Sequence, residues 1–172
     1  PLLSSDPYLM THQTDLVLNG LLTMMDCTES IDGTICLKSK HTDAMAALRN
    51  KISQNGYAGR IDTFELDDFY PAGDEFILVN EVLGKIVPEG GIPLNVLAVV
   101  SNVESLLNVA RAMSGKPVTD RYLTVCGEVI RPGKRLAGAV LFIVGDGVAD
   151  GRYAGNRTGI VTGNQKITAG RD

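Results

Sequence analysis

The sequence predicts an α/β fold, a partly parallel sheet covered by helices, followed by a small β-rich portion. Three observations carry this expectation. Apolar residues recur at helical spacing in four segments between Asp15 and Met113. Short strand-like runs separate those segments, and alternation with short links is the pattern of an α/β sheet. After Lys116-Pro117 the helical spacing stops and a strand-like alternation with turn residues begins.

Asp15 to Met25 carries apolar residues at 16, 17, 18, 21, 22, 24 and 25, a largely buried helix starting near His12. Gly20 inside it costs about 1 kcal/mol against Ala, so its presence points to close packing there. Gly33 to Leu37 reads as a short buried strand. Thr42 or Asp43 can cap a second helix that runs through Met45, Leu48 and Ile52 to Asn55-Gly56. Arg60 to Leu66 alternates as a strand does. Asp74 to Leu83 is a third helix, with Phe76, Ile77, Val79, Val82 and Leu83 expected inward. Val96 to Val100 reads as a fully apolar strand, and Asn102 to Met113 as a fourth helix. Arg121 to Ile130, the turn Arg131-Pro132-Gly133 and the run Leu136 to Val144 suggest the opening hairpin and next strand of a small β module. Beyond Gly145 six further Gly and few large apolar residues suggest turns and edge strands.

The bulk numbers bound the function. With 172 residues, 44 % hydrophobic and 21 % charged, the chain reads as globular, one domain or one with a small second. A net charge of −4 argues against a nucleic-acid surface. No apolar run is long enough for a membrane span. Cys27, Cys36 and Cys126 are too widely spaced for a self-contained zinc or iron–sulfur site, and read as reduced, partly buried thiols of a cytoplasmic protein. His12 and His41 lack partners at metal-ligand spacing. Ser30 and Ser114 have no His or Asp at any triad spacing. Asp146-Gly147 and Asp150-Gly151 lack the remaining ligands of a calcium loop and read as turns. Lys38, Lys40 and Arg49 read as solvated charges.

In an open α/β sheet, ligands sit beyond the carboxyl ends of strands. Asp67 to Glu75, with Tyr70-Pro71-Ala72-Gly73-Asp74-Glu75, follows one expected strand, and Ser101 to Ser105 follows the next, which ends at Val100. Gly73 lets backbone approach a flat ligand. Asn102 opens a helix, whose N–H groups and dipole suit an anion. The plainer reading is that Asp74 and Asn102 are helix caps, and both roles can coexist.

These motifs, in order, resemble the NADH-oxidising flavoproteins that include the flavin subunit of respiratory complex I, the C subunit of the Rnf complex and the cobalamin reductase of propanediol utilisation. Pro1 to Asp6 resembles the segment after the family's Glu-Pro flavin motif, and Tyr70 to Glu75 its Tyr-Pro-x-Gly-Asp/Gly-Glu turn. Val100 to Leu106 resembles Val-Asn-Asn-Val-Glu-Thr-Leu, with Ser101 and Ser105 in place of Asn and Thr. Gly115 to Val129 resembles the entry to the family's SLBB module, a small β-grasp domain. The resemblance runs to about Gly133, and its wording leans towards the Rnf-like and cobalamin-reductase branch.

It implies that residues 1–115 are the C-terminal part of an FMN- and NADH-binding α/β domain, and that 116–172 form an SLBB-like module with an atypical tail. It implies FMN and NADH as cofactors of the intact parent, with Tyr70, Gly73, Asp74 and Glu75 on the isoalloxazine and nicotinamide side. Val100, Ser101, Asn102 and Ser105 would approach the flavin phosphate or ribityl chain. No side chain need act as acid or base. Electrons would pass to iron–sulfur clusters in other domains or in partner subunits of an electron-transfer complex. That complex is expected at the inner face of a membrane or in a microcompartment. The family's glycine-rich phosphate loop, Asn-rich segment and cysteine-rich cluster domain are not in this sequence, and Pro1 is no initiator. The expectation is therefore a portion of a longer flavoprotein. The alternative is a docking or scaffold module without flavin, whose sheet edges and Gly-rich tail pair with another chain, a second copy included.

Overall fold

A computed structural model of the chain describes residues 5–119, 121–126, 136–137 and 158–162. They fall into two compact units, one of Pro7–Gly115 and one that includes Lys116–Asp172.

The first unit is built on a βαβ crossover. Strand β1 (Gly33–Lys38) leads through a helix at Thr42–Gln54 to strand β2 (Ile61–Leu66). The two strands are parallel and in register, from Gly33 opposite Ile61 to Lys38 opposite Leu66. Ile35 and Leu37 on β1 are buried two residues apart, as strand alternation requires, whereas β2 is buried at its two ends, Ile61 and Leu66, which lie five apart and so on opposite faces. Two helices precede the crossover in the chain, α1 (Ser5–His12) and α2 (Thr14–Thr28). The crossover helix is α3. Its buried face of Ala44, Met45, Leu48 and Ile52 joins Val17, Leu18 and Met25 of α2 and Met10 of α1 in one core.

Local signals account for most boundaries. α2 starts at Thr14, two residues past the expected start near His12, which instead closes α1. α1 is not expected from the sequence, because Pro7 interrupts its pattern; Pro is tolerated there because it lies in the first turn. α3 is preceded by His41, with no side-chain cap bond, so neither Thr42 nor Asp43 is its cap. It stops at Asn55. The exposed turn after it carries Gly56 and Gly59 at φ of +70° and +83°, a region L-residues avoid.

After β2 the chain forms α4 (Glu75–Leu83), a 3-10 turn at Pro93–Val96 and α5 (Val103–Met113). Two expectations fail here. Val96–Val100 is not a strand: Pro93 opens the 3-10 turn, and Leu97 follows with a left-handed φ of +59°, which breaks an extended run. On α4 only Val79 is buried, while Phe76 and Leu83 are exposed. α5 packs on α2, and the contact is backbone-close. A Cβ built on Gly20 would collide with the Leu106 carbonyl, which is the close packing that Gly20 announced.

In the second unit, β3 (Tyr122–Cys126) pairs antiparallel with β5 (Thr158–Thr162), and β4 (Leu136–Ala137) pairs parallel with β5. The order β3-β5-β4 places a strand of the Gly-rich tail in the middle of this sheet, not at its edge. The expected turn at Arg131–Gly133, and the rest of the expected strand to Val144, lie outside the described residues.

Candidate functional site

The candidate residues form two groups, each organised around a helix cap. The first lies on the loop that leaves the carboxyl end of β2. Phe69 donates its N–H to the Asp67 carbonyl at 3.0 Å, and Asp74 to the Pro71 carbonyl at 2.7 Å. Asp74 Oδ1 then accepts the Phe76 N–H at 2.9 Å, capping α4. Asp74 is therefore the cap that its motif suggested, and Glu75 is the first helical residue. Ala72 is buried and pins the loop. Tyr70 is 80 % exposed, and space beside Gly73 is open to 4 Å around the position of an added Cβ.

The second group opens α5. Asn102 Oδ1 accepts the Ser105 N–H at 2.8 Å, so Asn102 is also a working cap. Ser101, Asn102 and Ser105 are exposed, and Val100 is half-buried. This group follows irregular chain rather than the carboxyl end of a strand, because the expected strand before it is absent. The donor set at α5 is short, polar and accessible, and it sits on a positive helix end. That chemistry fits an anionic or hydroxyl-rich ligand. The open flank of Gly73 beside an exposed aromatic ring fits a flat one.

The sequence reading missed the charges beneath the first loop. Lys38 is the last residue of β1, and Lys40 comes two residues later, after Ser39. Lys38 Nζ donates to Asp68 Oδ1 at 3.0 Å and to the Phe69 carbonyl at 2.7 Å. Lys40 Nζ bonds both Asp68 oxygens at 2.9 Å. Held by these two ammonium groups, the Asp68 carboxyl drops to about 2. Neighbouring His41 is pushed down by burial first and by Lys40 next. The available signal was positional: basic residues end one parallel strand and acidic residues end the other. Arg49, also read as solvated, bonds Glu65 at 2.9 Å across α3 and β2. Of the thiols, Cys36 is free and partly buried as expected, and Cys27 departs from the expectation. Cys27 is exposed, whereas Cys36 is half-buried and raised by burial to about 11. The side chain of Cys126 lies outside the described set.

Among the described residues no helix is long and apolar enough to cross a membrane. No cluster of metal-ligating side chains occurs among them either.

Residues 1–111 match the family model described as the Nuo51 FMN-binding domain. The chain is similar to cobalamin reductase PduS of Citrobacter freundii, 39 % identical over 133 residues, or 77 % of this chain and 28 % of that protein. It is 35 % identical over 132 residues to the C subunit of the Na(+)-translocating ferredoxin:NAD(+) oxidoreductase complex of Acetobacterium woodii, covering 76 % and 29 % of the two chains. It is 27 % identical over 132 residues to the C subunit of the ion-translocating oxidoreductase complex of Vibrio cholerae, covering 76 % and 17 %. The chain thus spans less than a third of the length of these relatives. The matched region contains both cap-centred groups, and the chain belongs to the Nuo51 FMN-binding domain family.

Proposed function

We propose that this chain is part of an electron-transfer flavoprotein that carries electrons from NADH, through FMN, to iron–sulfur centres in other domains or partner subunits. The observation that carries the reading is the family match over residues 1–111, which includes Tyr70–Glu75 and Val100–Ser105. When bound, FMN supplies the exchange between two-electron and one-electron chemistry that a nicotinamide and a cluster cannot make directly.

The protein's part is placement. The α5 N-terminus with Ser101, Asn102 and Ser105 holds the phosphate or ribityl hydroxyls, and Val100 packs beside them. Tyr70 and Gly73 give a flat, unobstructed flank for a ring system. Asp74 fixes the start of α4, so that Glu75 presents its carboxylate to ribose hydroxyls or to the nicotinamide amide. In this reading the acceptor subunits lie at the cytoplasmic face of a membrane complex or in a microcompartment.

The test is an absorbance and fluorescence titration of the chain with FMN, followed by NADH. Saturable binding at micromolar FMN and bleaching of the flavin band by NADH are expected. No binding by the full chain would overturn the reading that these residues suffice for a site.

A second reading, a docking module without flavin, is favoured by one observation. Ile86, Ile92, Leu94, Leu97 and Val99 are exposed on the stretch between α4 and α5, with Leu97 at 87 %. A colourless protein that forms stable assemblies through this stretch would support it.

A further inference from the structure

We propose that Lys38 and Lys40 are positioning residues for the site: through Asp68 and the Phe69 carbonyl, they fix the loop that presents Tyr70, Gly73 and Glu75. The inference rests on the flavin reading for its consequence, but not for its geometry.

The loop from Asp67 to Asp74 leaves β2 and pairs with no strand among the described residues. The backbone bonds within it are short-range, from Phe69 to Asp67, from Ala72 to Phe69 and from Asp74 to Pro71. Such bonds shape a turn but do not anchor it to the sheet. Buried Ala72 holds the later part of the loop, and the anchor at its start, Asp68 and Phe69, comes from β1 and the residues after it. Lys38 reaches two points of the loop at once, a carboxylate and the carbonyl that immediately precedes Tyr70. Its side chain is only 21 % exposed, so it is laid against the protein rather than waving in solvent. Lys40 closes on the same carboxylate in bidentate fashion. Two ammonium groups share Asp68 Oδ1, and the anion between them offsets their mutual repulsion. Register makes the arrangement possible. Lys38 lies opposite Leu66, so the two strands end level with each other. Asp68, two residues past the end of β2, is then within reach of both lysines at the end of β1.

Exposed ion pairs add little to global stability. A clamp of this kind therefore acts on the order of the loop more than on the stability of the fold. That separates it from a merely structural pair.

The experiment compares the full chain with Lys38→Met, Lys38→Arg and Asp68→Asn by peptide-level hydrogen exchange, circular dichroism melting and FMN titration. Expected are unchanged melting, and exchange across residues 67–75 faster by about tenfold in Lys38→Met and Asp68→Asn, with α2 and α3 unaffected. Lys38→Arg, which keeps the charge and the donors, should exchange close to the wild type. FMN affinity should fall about tenfold in the first two variants and recover in the Arg variant. Unchanged loop exchange in Lys38→Met overturns the clamp, even if flavin affinity falls, since Lys38 would then act on the ligand directly. Faster exchange with no FMN binding by the wild type upholds the clamp and sinks the flavin reading instead.

Discussion

Asp74 and Asn102 solve one problem at two places: each side-chain oxygen takes a backbone N–H two or three residues ahead, which the helix cannot satisfy itself. Asp74→Ala and Asn102→Ala should each lower unfolding free energy by about 1 kcal/mol in urea titration, while Asn102→Asp should retain most of the stability. If Asn102 also faces a flavin phosphate, Asn102→Asp keeps the helix but adds a negative charge where an anion would sit. Stability and FMN affinity then part company in that variant. The cysteines divide as cleanly. Cys27 is exposed and should be alkylated readily at pH 8. Cys36, raised to about 11 by burial, holds only about one thiolate in a thousand at that pH. Peptide mass mapping of iodoacetamide-treated native protein should find Cys27 modified first, with Cys36 reacting only as the pH climbs. The sign of the linked stability is then fixed. Unfolded Cys36 ionises near 9 and folded Cys36 near 11, so the unfolded chain holds fewer protons between those values. The thiol's contribution is complete below pH 9 and is lost as pH rises towards 11.

At the scale of elements, the approach of α2 to α5 decides where the second group of candidate residues stands. Gly20 touches the Leu106 carbonyl, one turn beyond the Asn102 cap. On helix propensity alone, Gly20→Ala should stabilise α2 by about 1 kcal/mol. The added methyl has nowhere to go except into backbone, and overpacking of that kind costs about 1–3 kcal/mol. A net loss in thermal unfolding is therefore expected. A gain would mean that the two helices separate easily and that Gly20 does not set the position of α5. The βαβ unit sets the other group. Its in-register parallel pairing brings Lys38 level with Leu66, and that alignment puts the lysines under the Asp67–Glu75 loop.

Across the whole molecule, what was legible in the sequence depended on how far each interaction reaches along the chain. The caps at Asp74 and Asn102 were visible because their partners are two and three residues away. Helices α2 to α5 and the two parallel strands were visible because apolar residues recur in them at regular spacing, whereas α1, interrupted by Pro7, was not. Lys38 and Asp68 stand thirty residues apart, and only the tertiary pairing of two strands joins them. The run Val96–Val100 has no period to read. Pro93 and the left-handed Leu97 decided against a strand, and only Ala98 of its five residues is buried. Phe76 and Leu83 sit at apolar helical spacing, yet nothing among the described residues buries them. The motif groups themselves, Tyr70–Glu75 and Val100–Ser105, are readable as motifs and lie within the stretch that matches the family, whereas the lysine pair beneath the first was not readable.

The exposed turn at Asn55–Gly59 lies at the amino end of β2, whereas the lysine clamp and Tyr70 lie past its carboxyl end. Six residues of strand, roughly 20 Å, separate the two. That distance makes the turn a natural handle for immobilisation: a dye or surface tether attached there would report on the chain, or hold it, from the opposite end of the strand to the loop that bears Tyr70.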